Sequence, residues 1–167
     1  MSITVLGVNH RTAPLEVRER FAHGPGEIPT SLERVLAAGA RGGVLLSTCN
    51  RTEFYLADPQ EPVSEAVWAL LGERLSGNHA AREYGYAERD QDAVRHLYRV
   101  SAGLDSMVLG ESQIQGQVRD AWEVSRGQAG PVMHRLFQTA LLVGARVRNE
   151  TNLGTGAASV PSAAVAS

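Results

Sequence analysis

The stretch LLSTCNRTEFY, Leu45 to Tyr55, carries Cys49, the only cysteine in the chain. It stands at the end of an apolar run and directly before the polar pair Asn50-Arg51. A thiol in a turn after a strand can be partly exposed, and a neighbouring arginine with free backbone N–H groups favours its thiolate. A thiolate is a strong nucleophile toward esters and acyl groups. The commoner fate of a lone cysteine, a small buried hydrophobe, is the competing reading. One cysteine excludes an internal disulfide framework and any cysteine-based metal cluster.

His96 is the second candidate. It lies near the apolar boundary of a helical pattern, where it can act as acid, base or carbonyl polariser. A half-buried structural histidine is the alternative. His10 stands in a polar loop after the first strand and could also approach a site, whereas His23, His79 and His134 carry weaker signals. The third feature is GLDSMVLGESQIQGQ, Gly103 to Gln117. It sets Ser106, Glu111, Ser112, Gln113 and Gln117 in a loop and the opening turn of a helix, whose free N–H groups suit a polar or anionic ligand. Capping by Glu111 or Ser112 explains part of that pattern without a ligand. It explains less well the close spacing of Gly103, Gly110 and Gly116. No G-x-G-x-x-G opens a β-α unit, and no G-x-S-x-G, P-loop or H-E-x-x-H occurs.

These residues need elements to position them. Ser2 to Val8 reads as a strand, NHRTAP as a loop, and Pro14 as the first turn of the helix PLEVRERFA. Thr30 and Glu33 have the spacing of a capping box for the next helix, which Gly39 stops. Val44 to Ser47 reads as a buried strand. Thr52, Phe54 and Leu56 alternate with Glu53 and Tyr55 as a second, with Cys49 at the turn between. A helix carries Val63, Val67 and Leu75, and REYGYA reads as a short edge strand. Asp90 is the expected N-cap of QDAVRHLYRVSA, a further helix is expected from about Glu111 to Arg126, and Pro131 opens a longer one. The small, uncharged end GTGAASVPSAAVAS reads as a linker. Strands mixed with helices come first and helices alone follow, the order of an α+β domain with a helical lobe.

The chain has 167 residues, 43% hydrophobic and 20% charged, with a formal charge of −2. That suits one domain with a real core, and bulk charge gives no support for nucleic-acid binding. The single cysteine fits a reducing compartment. The N-terminus lacks the pattern of a signal peptide, and the apolar runs fall short of a membrane span. A cytoplasmic protein is expected.

Three stretches together, GVNHRTAPLEVRERF, LLSTCNRTEFYL and RHLYRVSAGLDSMVLGESQIQGQV, resemble the N-terminal catalytic domain of the glutamyl-tRNA reductase family. ARVRNETNLGTGAASVPSAAV resembles that family's run from a long helix toward its cofactor domain. The resemblance implies an NADPH-dependent oxidoreductase that converts glutamyl-tRNA to glutamate-1-semialdehyde, the first step of five-carbon tetrapyrrole synthesis. By it Cys49 is the nucleophile that forms a glutamyl thioester, and His96 is important for activity. Thr48, Asn50 and Arg51 bind substrate beside the thiol, and Arg51 has the character to hold the glutamate carboxylate. Ser106, Glu111, Ser112, Gln113 and Gln117 complete the pocket. Ser112 stands where the family often has proline, and Gln115 where it has a bulky aliphatic.

The expected fold is α+β: a ferredoxin-like β-α-β sheet lobe packed with a helical lobe, ending in the start of a long connecting helix. The expected organisation is a catalytic domain over residues 1–150 and a linker over 151–167. The resemblance implies that NADPH is held by a domain missing from this chain, with no metal. It implies glutamyl-tRNA as substrate, glutamate-1-semialdehyde aminotransferase as a partner and a homodimeric parent. The rivals are a thiol-dependent ester hydrolase and a regulatory or tRNA- or protein-binding module without turnover.

Overall fold

The computed structural model describes residues 1–77 and 80–151. His79 and the linker reading of residues 152–167 lie outside the described residues. Four strands, β1 (Ile3–Asn9), β2 (Gly42–Ser47), β3 (Arg51–Ala57) and β4 (Tyr86–Arg89), form a sheet in the order β2-β3-β1-β4. The pairings β1–β3, β1–β4 and β2–β3 are all antiparallel. With helices α1 (Leu15–Phe21) and α2 (Ile28–Leu36) between β1 and β2, and α3 (Glu61–Gly72) between β3 and β4, this is the split β-α-β arrangement of ferredoxin-like domains. Three further helices follow: α4 (Asp90–Ser101), α5 (Gln113–Val124) and α6 (Arg126–Glu150).

Helices cover both faces of the sheet. Leu6, Val8, Leu45, Phe54 and Leu56 pack against Phe21, Leu32, Val35, Val63 and Val67. On the other face Val5, Val44, Leu46 and Tyr55 meet Leu97, Val100, Val118, Met133 and Phe137. The helical lobe is therefore the second cover of the sheet. It explains why every residue of β3 is buried, Glu53 and Arg51 included. A strand covered on both faces does not separate into a wet side and a dry side.

Four local readings change. The stretch REYGYA is strand only from Tyr86, because Ala81–Tyr84 form a 3-10 turn before β4. Helix α2 begins at Ile28 with Pro29 in its first turn, so Thr30 lies inside the helix and forms no capping box with Glu33. Asp90 is not an N-cap: it adopts φ 50°, and its Oδ1 accepts the Ile3 N–H at 3.1 Å, tying α4 to the sheet. Helix α5 begins at Gln113, later than Glu111, because Gly103 (φ 80°) and Gly110 (φ 77°) shape residues 103–110 into a loop closed by a Gly110 N–H to Gly103 carbonyl bond of 3.0 Å. Pro131 does open a helical run. Gly130 at φ 76° breaks the axis of α6 just before it, where a side chain at Gly42 would collide with the Ala129 carbonyl.

Candidate functional site

Thr48, Cys49 and Asn50 form the tip of the β2–β3 hairpin. The Thr48 N–H donates to the Arg51 carbonyl (2.8 Å), and the Asn50 N–H to Thr48 Oγ1 (3.1 Å), a local bond of the kind that threonine offers in turns. The turn leaves Cys49 exposed. A second arginine, absent from the sequence reading, braces it: Arg18 Nη1 of α1 donates to the Cys49 carbonyl (3.0 Å) and to Asn50 Oδ1 (3.3 Å).

Below the hairpin the side chains of β3 alternate, so Arg51, Glu53 and Tyr55 share the face toward α4 and α6. Glu53 has no exposed surface. Its Oε1 accepts the Tyr55 hydroxyl (2.8 Å). Its Oε2 receives Arg51 Nη1 (3.3 Å), the Tyr86 hydroxyl and His96 Nε2 (2.5 Å). Gly7 makes room. It is the cross-strand neighbour of both Glu53 and Tyr86, and a Cβ there would stand 2.8 Å from Glu53 Cγ. Burial alone would raise the Glu53 carboxyl. The charges of Arg51 and His96 and the hydrogen bonds overcome it and hold the group at about 2. For His96, burial alone would lower the imidazole, but the Glu53 carboxylate and its hydrogen bond win, and the net shift is upward. Tyr55 and Tyr86 are pushed up, first by burial and then by the same carboxylate.

Arg51 is 2% exposed. Besides Glu53 it meets Asp105 of the closed loop: Nη1 lies 3.1 Å from Asp105 Oδ2, and Nη2 donates to the Asp105 carbonyl at 2.7 Å. Asp105 Oδ1 accepts Arg11 Nη1 at 2.6 Å. Both terminal nitrogens of the sequence-predicted Arg51 fork are thus engaged inside the protein. His10 lies in the same neighbourhood. Burial first, then the charges of Arg51 and Arg11, push its imidazole down, and its Nδ1 is buried without a hydrogen-bond partner.

The structure unites Thr48, Cys49 and Asn50 on the turn, and joins Arg51 to His96 through Glu53. Ser106 adjoins Asp105 and is half-buried. Glu111, Ser112 and Gln113 follow on the far end of the loop and the start of α5, where Arg148 of α6 donates to the Gly110 carbonyl (3.0 Å) and to that of Glu111. Gln117 stands apart, lining a cavity of about 180 Å³ with His23, Ser47 and Asp120. Sequence reasoning missed Glu53, Asp105, Tyr86, Arg11 and Arg18. A signal existed for Glu53: a carboxylate two residues from Arg51 inside a strand shares its face. Among the described residues no group of three or more His, Cys, Asp or Glu side chains could hold a metal ion, and no helix is long and apolar enough to cross a membrane.

A ferredoxin-like sheet whose β2–β3 hairpin exposes a lone cysteine, followed by a strand that carries a buried Arg-Glu-His cluster, defines an α+β domain with one accessible thiol. The model of the family described as glutamyl-tRNAGlu reductase, N-terminal domain, matches residues 6–151, and the chain belongs to that family. It is 49% identical over 166 residues to the glutamyl-tRNA reductase of Rubrobacter xylanophilus, covering 96% of this chain and 38% of that protein. It is 47% identical over 170 residues to that of Deinococcus radiodurans, covering 99% and 46%. The solved glutamyl-tRNA reductase from Methanopyrus kandleri superposes with a TM-score of 0.76 at 32% identity, covering 98% of this chain and 38% of that one. The chain therefore spans less than half the length of these relatives.

Proposed function

We propose that this chain performs the acyl-transfer half of glutamyl-tRNA reduction, in the route through glutamate-1-semialdehyde to tetrapyrroles. The observation that carries the reading is the exposed Cys49 on a braced hairpin whose following strand bears Arg51 and Glu53. Cys49 Sγ bonds to the aminoacyl carbonyl carbon. The ester bond to the terminal ribose breaks, the ribose oxygen takes a proton, and tRNA leaves the glutamyl thioester behind. With His96 Nε2 engaged by Glu53, Nδ1 is the ring nitrogen left to polarise the carbonyl or to protonate the leaving oxygen. Glu53 holds the ring in place and favours its charged form. Thr48 and Asn50 shape the turn, and Ser106, Glu111, Ser112 and Gln113 are the loop residues that the family resemblance assigns to the pocket, whereas Gln117 faces the separate cavity beside His23.

NADPH is the cofactor that the family resemblance implies, and when bound it supplies the hydride that turns thioester into aldehyde. The described sheet is wholly antiparallel and offers no glycine-rich turn between a parallel strand and a helix. The described residues therefore do not fit a dinucleotide, and no part of the reduction is assigned to them. The test is single-turnover acylation: the chain is mixed with labelled glutamyl-tRNA and the glutamyl–Cys49 adduct is trapped and weighed by mass spectrometry. Label on the unmutated chain and none on Cys49→Ser supports the reading. Equal deacylation by both proteins overturns it.

A further inference from the structure

Arg51 has five N–H donors at most. Its Nη1 is shared between Glu53 and Asp105 Oδ2, and its Nη2 meets the Asp105 carbonyl and lies 3.1 Å from Asp105 Oδ2. No paired fork remains for a second carboxylate. Arg11 completes the grip on Asp105 from the solvent side: its side chain is 58% exposed, against 8% for Asp105. Two guanidinium groups thus converge on one carboxylate, in the manner of a receptor for a carboxylate ligand. The residue seated in it belongs to a loop and not to the sheet. That loop is framed by Gly103 and Gly110, both at positive φ, and its far end is pinned to α6 by Arg148.

We infer that the Asp105 carboxylate is an internal occupant of a carboxylate seat formed by Arg51 and Arg11, and that an incoming ligand carboxylate binds by displacing it. The inference rests on the proposed glutamyl-tRNA reading for the ligand, the side-chain carboxylate of the glutamyl group. Glu53 stays in place beneath Arg51, so the arginine keeps one buried counter-charge during the exchange. Arg11 becomes a ligand-contacting residue. The exchange also gives selectivity: a neutral amide in place of the carboxylate cannot replace the charge that Asp105 withdraws, and the seat stays closed.

The experiment uses the whole chain and glutarate, a five-carbon dicarboxylate that needs neither tRNA nor thiol. Titration calorimetry compares the unmutated chain with Asp105→Ala, Asp105→Asn and Asp105→Ala combined with Arg51→Gln or Arg11→Gln. Asp105→Ala is expected to bind glutarate about tenfold more tightly, the equivalent of one charge-assisted hydrogen bond, and either added substitution removes the gain. Asp105→Asn keeps the size, loses the charge and gives a smaller gain, which covers the case in which Asp105→Ala fails to fold. Weaker or unchanged binding in the folded variants overturns displacement and makes Asp105 a positioning residue for Arg51. In the unmutated chain, saturating glutarate is expected to speed hydrogen exchange at Gly110; unchanged exchange with bound glutarate also overturns it. Failure of Cys49 acylation with the glutarate gain intact would sink the catalytic reading and leave the seat standing.

Discussion

His96 Nε2 lies 2.5 Å from Oε2 of Glu53, a carboxylate with no exposed surface at the centre of the sheet. The pair links a helix to a strand, and through Arg51 and Tyr86 it links both to a loop and an edge strand. His96→Asn is expected to slow Cys49 acylation by glutamyl-tRNA about 100-fold, the scale of general acid–base assistance. Some loss of melting temperature is expected as well, since the ring partners the buried Glu53 carboxylate, so the rate is compared per folded molecule. Unaltered acylation with a collapsed melting temperature would mark it as structural.

Glu53→Gln leaves Arg51 buried without its closest counter-charge on the sheet. Breaking a buried pair from one side costs about 3–5 kcal/mol, and urea unfolding should show a loss on that scale. The pH dependence follows from the shifts. Glu53 is held at about 2, down from 4.5, so its contribution is present above pH 4.5 and is lost as pH falls toward 2. His96 is raised from 6.5, so its contribution is present below pH 6.5 and is lost as pH rises through its raised value. The stability profile of the unmutated chain should fall on both sides, and Glu53→Gln should flatten it.

Gly7→Ala tests the space in which the cluster sits. The new Cβ would stand 2.7 Å from the Thr52 carbonyl oxygen and 2.8 Å from Glu53 Cγ, inside β1 and β3, which are held by pairing on both edges. Overpacking of this kind costs about 1–3 kcal/mol. The same denaturation series measures it, and a neutral result would mean that the sheet relaxes without strain.

Cys49 is exposed, so iodoacetamide should label it in the native chain without prior unfolding. The label should land on this residue alone, because the chain has no other cysteine. Labelling that keeps pace only with global unfolding would restore the buried-hydrophobe reading.

Arg51→Lys should erode discrimination between glutamyl- and glutaminyl-tRNA in the acylation assay, because a lysine cannot present a planar fork. Loss of both reactions in equal measure would instead report damage to the Glu53 cluster, a distinction that the unfolding midpoint of the variant resolves.

The residues from Leu45 to Leu56 were readable as strand, turn and strand because apolar runs, a polar tip and period-two alternation are local properties of the chain. The same locality made Cys49 legible as a turn residue and Pro131 as a helix opener. Order along the chain also gave the α+β class, and three motifs gave the family. What the sequence did not contain was which distant groups would claim the local ones. Asp90 has the type of an N-cap, yet its carboxylate goes to Ile3, 87 residues away. Glu53 looks like the wet side of a half-buried strand, yet α4 closes over it and brings His96 43 residues across the fold. Arg51 reads as a free fork beside the thiol, yet Asp105, 54 residues on, fills it. Helix and turn preferences act over a few residues. The partner of a buried charge is chosen by the packing of whole elements, because a charge withdrawn from water must be matched by whatever the fold brings against it.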